Sequence, residues 1–567
     1  MTFIFGSHQE NQEKPELSHF VIRAMRARLA RTGVAVNATL PAIRRKCQDR
    51  LPIISLETQH LCLNAPLNRP SEQYGLRTKR AINRETKDDR SHSDVKLTTQ
   101  DLAARMTTLE LLRLPTEVLQ KICRNLCSHC RDTNVEPKFG KAGPHMFSGD
   151  YIGNPTDEEV ALSNLSQCCQ QLQHIAQPIL FHYVKQHLHA PVYRGPDDTP
   201  HNLNLGSLVR LAAENPGLAS NILWFDYEDV STVEDISDTD AQDYEIIASK
   251  IGLSLPPMWR TFENETDAVL LALLLQLLPN LERLHVVLYA DWAHEGLIEM
   301  LEGMRPVANI RELSLAHDDT EYGFGLGEQH ALIAPLSGLT SLKTHMCVGA
   351  GVHVAFANLT RVELTYTMLT YDDLKGLLLN CKKLESFTYE SGALSQDNDE
   401  EEVLPAEIVA AILPAKKSLR HLAIDWVSSY RAEYAQDSYD ESAMITELPF
   451  PKLETAVLTQ NTIYLPSDDP EDSSSVSLVD LWPKSIESIK FDFVRSIPHE
   501  HVIHLSEAAA AGEFPNLRHV SLNTTTFAGK FQVLWKKDDY KMLRTKFEEA
   551  GVSFDLNNSL FISDQAS

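Results

Sequence analysis

The chain has 567 residues, 43% of them hydrophobic and 23% charged, which is enough apolar surface to bury large cores over several domains. Its formal charge is −26, which repels phosphate backbones, and its longest nearly unbroken apolar run, residues 268–278, falls well short of the ~20 residues of a membrane span. Nucleic acid and membrane are therefore not expected partners.

The charge is unevenly spread. Residues 1–100 hold 17 Lys+Arg against 10 Asp+Glu, a net of +7, so the remaining 467 residues carry −33. Residues 1–105 show no sustained periodicity and are expected to form a largely disordered basic tail. Within it, the Arg-rich stretch 18–46 could form a short amphipathic helix, and Arg77, Lys79, Arg80 and Arg84 form a basic cluster of the kind that nuclear import factors read. Glu10, Glu13, Lys14 and Glu16 interrupt any hydrophobic leader. The nine cysteines are odd in number and thin out along the chain, unlike a disulfide framework. A reducing compartment, cytoplasmic or nuclear, is expected.

Residues 106–190 change character. Pro115 suits the start of a helix, where its missing N–H costs nothing. After it, Val118, Leu119, Ile122 and Leu126 make one apolar stripe at helical period. A second stripe, Leu162, Leu165, Cys169, Leu172 and Ile175, predicts another helix that Pro178 interrupts. Between them, residues 128–158 are polar and turn-rich, with four glycines and two prolines from Gly140 to Pro155, and are expected to form an extruded loop.

This stretch resembles the F-box. The opening Leu-Pro-x-Glu-apolar-apolar is matched by Leu114, Pro115, Glu117, Val118 and Leu119, with Ile122 and Leu126 following. The second half is matched by Leu162, Leu165, Ser166, Cys168, Cys169 and Leu172, with Gln170 where the family often has a basic residue. The resemblance covers about 75 residues and ends in a stretch, 174–184, like that of many fungal F-box proteins. It implies docking on the Skp adaptor, and through it on a cullin–RING ubiquitin ligase. The adaptor-binding residues would be Leu114, Pro115, Val118, Leu119, Ile122, Leu126, Leu162 and Leu165.

From residue 200 to 560 a phrase recurs: Pro-x-Leu-x-x-apolar-x-apolar. Clear copies run through Leu281, Leu284 and Val286, and through Leu517, Val520 and Leu522. Between them lie copies led by Ile310, Leu359, Leu384, Leu419, Leu453 and Ile486, and a degenerate one at Leu342, His345 and Cys347. Spacings between first positions are 29, 32, 17, 25, 35, 34, 33 and 31 residues. Helix-like pieces fall between copies, at 268–278 with Asp267 as N-cap, 371–381, 403–413 and 501–511. Strand and helix in alternation predict an α/β solenoid with parallel strands, and the pattern resembles the degenerate leucine-rich repeats of F-box proteins. Acidic stretches at 226–245, 397–402 and 468–472 are expected to be solvated loops, the sharper possibility being an acidic rim for a basic substrate.

Candidate chemistry is sparse. Zinc needs four converging N/S ligands. Cys123, Cys127, Cys130, His129, Cys168 and Cys169 lie near one another in sequence, but helix packing accounts for them, and no metal site is expected. His499-Glu-His501-Val-Ile-His504 misses the His-Glu-x-x-His spacing, and Gly323-x-Gly325-x-Gly327 lacks a dinucleotide-binding context. The chain is thus expected to be a non-catalytic protein without a cofactor: a substrate-recognition subunit whose fold combines a small all-α module with an α/β solenoid that holds a protein substrate. The alternatives are a leucine-rich scaffold with no ligase and an enzyme whose site carries no recognised motif.

Overall fold

The structure is a computed structural model. It describes residues 114–131, 157–186, 205–228, 236–256, 259, 263–288, 307–317, 323–351, 356–392, 403–426, 443–464, 477–492, 497, 499–524 and 537–558. The expected basic tail, its two Arg-rich clusters, most of the insert, and the acidic stretches 397–402 and 468–472 lie outside these residues. The chain divides into two compact units, residues 1–183 with 191–203, and residues 184–190 with 204–567.

The described residues of the first unit hold four helices: α1 (Thr116–Leu126), α2 (Ser128–Arg131), α3 (Asp157–Cys168) and α4 (Gln170–Leu180). Pro115 caps α1, its carbonyl accepting from the N–H groups of Val118 and Leu119 at 3.0 and 3.1 Å. Leu119, Cys123 and Leu126 lie on one side of α1 and bury against Leu162, Leu172, Ile175 and Ile179. Two expectations are corrected. The second stripe is not one helix, because Cys169 is fully extended (φ −164°, ψ 163°) and separates α3 from α4. That break lets the two halves fold together, with Leu162 and Leu172 in the same core. Nor does Pro178 interrupt α4, which runs on to Leu180; a proline this near the C-terminus removes one i→i−4 bond and little else. Of the expected loop insert, its first residues, Ser128–Arg131, form the helical turn α2, and Asp157 and Glu158 already open α3.

The second unit is built on a 12-stranded sheet. Its strands, in spatial order, are β1 (Tyr183–Gln186), β2 (Trp224–Glu228), β3 (Arg283–Leu288), β4 (Glu312–His317), β6 (Ser341–His345), β8 (Arg361–Thr367), β9 (Ser386–Ser391), β10 (His421–Asp425), β11 (Thr455–Thr459), β12 (Ser488–Asp492), β13 (His519–Thr524) and β14 (Ser553–Asn558). A two-stranded ribbon, β5 (Phe324–Gly325) with β7 (Cys347–Gly349), sits apart in the hydrogen-bonding order. All pairings from β2 to β14 are parallel.

The recurring phrase explains this order. Its second and third apolar positions are two residues apart on a strand, so both point to the same face. In register they form continuous buried rows: Leu284, Leu313, Leu342 and Val362 in one, and Val286, Leu315, Thr344, Leu364 and Tyr389 in the next, where β6 puts a buried threonine in the apolar row. The first position turns the chain into the strand. There the backbone repeats one device: the carbonyl just before a strand accepts two N–H groups from the next turn. Leu223 receives Glu282 and Arg283 at 2.8 and 3.0 Å, Arg311 receives Thr340 and Ser341 at 2.8 and 2.9 Å, and Glu454 receives Glu487 and Ser488 at 2.8 and 3.0 Å.

All nine copies of the phrase reach strands of this sheet, although Cys347, read as the third position of the degenerate copy, lies on β7 of the ribbon. One register is corrected. Leu342 pairs with Leu313, a second position, so the first position of the degenerate copy is Leu339, not Leu342. The two aberrant spacings of 32 and 17 thereby become 29 and 20. Three strands went without a phrase: β1, β2 and β14.

Among the described residues, the interleaved helices longer than a single turn are α5 (Leu205–Glu214), α6 (Asp238–Ile251), α7 (Glu263–Leu277), α8 (Tyr371–Leu378), α9 (Pro405–Ala411), α10 (His499–Ala510) and α11 (Lys537–Glu549). α7 begins at Glu263, so Asp267 lies inside it and is not its N-cap. The stretch 226–245 is not a solvated loop throughout: Asp226 is buried on β2, and Asp238 opens α6, where Ser237 caps the Asp240 N–H at 3.2 Å. α6 ends at Gly252, which takes the left-handed conformation (φ 78°) that a side chain would oppose. Gly327 serves a different purpose. A Cβ there would lie 2.6 Å from the Gly351 backbone, so its lack of a side chain lets two chain segments touch.

Candidate functional site

On the helical unit, the eight residues expected to meet an adaptor fall into two groups. Leu119, Leu126 and Leu162 are buried in the unit's own core, and Leu114 and Leu165 pack partly against it. Pro115 and Val118 are exposed and Ile122 half-exposed, with Val118 at 41%. The reason is helical geometry. Val118 and Ile122 are four apart on one flank of α1, while Leu119, Cys123 and Leu126 follow the neighbouring line inward. The first group therefore shapes and supports the face, and Pro115, Val118 and Ile122, bordered by Leu114, form it.

On the second unit the sheet has a polar face, made by the residues between the buried rows. Its cations near the first strands are paired. Arg283 stacks over Trp224 at 5.3 Å, Lys343 holds Glu312 at 2.6 Å, and Arg361 holds Glu363 at 3.3 Å. Further on, Lys490 is 2.8 Å from Asp492. Between these, Glu390 and Asp425 lie opposite each other on adjacent strands, both buried. Burial first, then the Asp425 and Glu363 charges, push the Glu390 carboxyl up to about 8. At neutral pH it thus keeps its proton and can donate a hydrogen bond.

Beside this pair the backbone is strained. Tyr366 (φ 49°) and Met346 (φ 67°) are the described non-glycine residues with left-handed backbone, and both stand where a strand ends. The pairing of β8 with β9 is irregular between Leu364 and Thr367, and it closes again through the Gly392 N–H on the Thr367 carbonyl at 3.1 Å. The strain is held by close packing, since a Cβ at Gly392 would lie 2.4 Å from the Tyr366 carbonyl carbon. It sets Tyr366, half-buried, edge-on to His345 with centroids 5.2 Å apart. Burial and the nearby His285 lower His345 to about 4, so it is neutral and accepts or donates at Nδ1 with Thr365 at 3.0 Å. His345, Tyr366, Glu390 and Asp425 cluster near the strand ends, the two rings half-buried and the two acids buried, with both acids acting electrostatically on Tyr366. The sequence marked only His345, and that as a repeat position; nothing in a run of single residues marks a left-handed tyrosine or two carboxyls that meet only across strands.

The candidate metal ligands are sorted by the fold. Cys123 is buried in the helical core, as packing predicts, and its thiol is pushed up to about 11 by that burial. Cys168 is exposed and Cys169 is the extended link between helices. Cys127, His129 and Cys130 are instead brought together with His182, a residue the sequence had not singled out. Hydrogen bonds from Cys130 and His182 hold the Cys127 thiol well below the ordinary cysteine range, against the opposing effect of burial. The histidines of 499–504 lie on α10, where His501 Nδ1 meets the Tyr464 hydroxyl at 2.8 Å.

Residues 336–528 match the family model of a leucine-rich repeat domain. They span β6 to β13, and the match supports a protein-interaction module. No match to an F-box family model is found, and no curated protein is significantly similar to the chain. Among the described residues, no helix is long and apolar enough to cross a membrane.

Proposed function

We propose that the protein is the substrate-recognition subunit of a cullin–RING ubiquitin ligase, docking on the Skp adaptor through α1 and holding a protein substrate on the polar face of its sheet. The observation that carries this reading is the apolar flank Pro115, Val118 and Ile122, left uncovered on a helix that opens with Leu-Pro-x-Glu. Pro115, Val118 and the half-exposed Ile122 lie together on that flank, opposite the packed core, and an apolar group of this kind is what a partner groove can cover. Helix-in-groove association needs only such a face and a partner's groove. The chain then acts by proximity. Ubiquitin transfer takes place on other subunits, and tethering raises the local concentration of substrate. No side chain of this chain enters the chemistry.

The test is co-expression of the full chain with the Skp adaptor, followed by size-exclusion chromatography, beside a Val118→Asp variant. Stoichiometric co-elution that the variant abolishes supports the ligase reading. A folded protein that ignores the adaptor overturns it, and leaves a leucine-rich-repeat scaffold that binds partners without a ligase.

A further inference from the structure

We propose that Cys127, His129, Cys130 and His182 form a structural zinc site that locks the helical unit. One donor atom from each lies within 4.8 Å of all the others. Zinc takes thiolate sulfur at about 2.3 Å and imidazole nitrogen at about 2.0 Å in a tetrahedron, which sets sulfur–nitrogen edges at about 3.5 Å and the sulfur–sulfur edge at about 3.8 Å. Cys130 Sγ lies 3.2 Å from His182 Nδ1 and 3.8 Å from His129 Nδ1. The two imidazoles stand edge-on, at 84° and 5.7 Å between centroids, so their nitrogens approach a common centre without the rings colliding.

The elements that carry these donors are fixed independently of any ion. Cys127 is the residue that ends α1, with an extended backbone (φ −87°, ψ 126°), and its carbonyl accepts from the Arg131 N–H at 3.2 Å. The single turn of α2 then presents His129 and Cys130 on the same side. His182 arrives 52 residues after Cys130, just past the end of α4, where its N–H bonds to the Ile179 carbonyl at 3.1 Å. The shared core of Leu119, Cys123, Ile175 and Ile179 sets the two helix ends side by side.

The donor set selects the ion and its role. Two thiolates and two imidazoles in a tetrahedron suit zinc over the oxygen-seeking magnesium and calcium. Four protein ligands leave no open position, and Cys127 is only 3% exposed, so the site is structural and not one that activates water. On binding, the metal takes the place of the thiol protons, which leave to solvent, and no oxidant or reductant is needed. The purpose is stability. A core drawn from three short helices is small, and a metal that ties the end of α1 to the end of α4 closes the path across the insert. The proposal stands apart from the ligase reading, because the donors lie beyond the C-terminal end of α1 and Val118 lies near its start.

The test is the metal content of the full chain, purified under reducing conditions without chelator and measured by inductively coupled plasma mass spectrometry. About one zinc per chain is expected, falling roughly tenfold or more in Cys127→Ser and in His182→Ala. Cys168→Ser, an exposed cysteine outside the site, keeps the metal. His182→Cys, which restores four donors, keeps it too. Should the two loss variants fail to fold, exchange of the wild type with cobalt decides: tetrahedral thiolate–cobalt bands in visible absorption support the site, and their absence overturns it. A chain that carries no zinc, zinc that persists in folded Cys127→Ser, or a Cys127–Cys130 disulfide in the reduced preparation also overturns it. Adaptor binding is scored separately with Val118→Asp, which leaves all four donors in place, so failure of one proposal does not count against the other.

Discussion

The two units solve the problem of burying apolar residues in opposite ways. The helical unit gathers a handful of side chains from α1, α3 and α4 into one closed cluster, and each member touches neighbours from distant sequence. The repeat unit spreads its core along the sheet in rows, where each residue meets its counterparts one strand away. A closed cluster depends on every member, while a row tolerates substitution between apolar residues as long as each rung is filled, as the run from Val362 through Phe387 to Leu422 shows. The face that remains for partners differs accordingly. The first unit leaves an apolar flank of one helix, and the second leaves a polar sheet surface with a few buried acids.

The sharpest way to break this contrast is Phe387→Ala. The ring is fully buried between Val362 and Leu422, and its loss is expected to cost about 3–5 kcal/mol, read by denaturant titration. If rows are as local as the register indicates, adaptor co-elution through α1 persists in this variant. Gly392→Ala comes next, at about 1–3 kcal/mol, because the new methyl group meets the Tyr366 backbone. Thermal unfolding measures it, and a neutral result would mean that Tyr366 is free to relax.

A smaller effect depends on pH. The Glu390 carboxyl is raised to about 8 in the folded chain, so the fold holds a proton that the unfolded chain gives up near its ordinary value. Its contribution is complete below about pH 4.5 and is lost as the pH climbs through 8. Glu390→Gln is therefore expected to match the wild type at pH 4.5 and to exceed it by a few kcal/mol near pH 8.5, as melting curves at the two pH values would show. The smallest change in stability is expected from Val118→Asp, within about 0.5 kcal/mol because the residue is exposed, although adaptor binding should be lost. If that variant instead unfolds the helical unit, the flank belongs to the core and the contrast between the units fails.

The repeats were legible because a strand buried on one face leaves apolar residues two apart, and a turn before it leaves a third. The same logic missed β2 for want of a leucine. Ile222, Phe225 and Tyr227 occupy the three positions, with aromatic residues where aliphatic ones were sought. β14 carries Phe554 and Leu556 in the same register, but has Glu549 and Gly551 where a proline and a leucine lead the clear copies. The Leu342 register slipped because Leu339 stands in a Gly-Leu-Thr setting without the usual lead-in. The helical unit was legible as stripes but not as a shape, since only tertiary folding reveals that Cys169 is extended and that the stripe therefore doubles back. The metal-ligand set shows the limit most plainly. Three donors sat within four residues, and the fourth lay 52 residues on, where only the packing of α1 against α4 brings it near.

The carbonyls that accept two N–H groups at each strand entry have a consequence for how such a chain can change over generations. Successive first positions from Leu281 onward vary from 20 to 35 residues apart, yet the hand-over from Leu223 to Glu282, Arg311 and Thr340, and on through Glu454 and Glu487, is the same at every rung from β2 to β13. The strands thus run on a fixed gauge, while the length between them is free. A duplication or deletion that starts and ends at equivalent carbonyls, such as Thr360 and Glu385, adds or removes one whole rung and leaves every remaining hydrogen bond a partner. An insertion of one residue within a strand turns its buried row outward. Genetic change in this unit therefore comes in two currencies, whole rungs and loop lengths, and the width of the sheet is open to selection while its pitch is not.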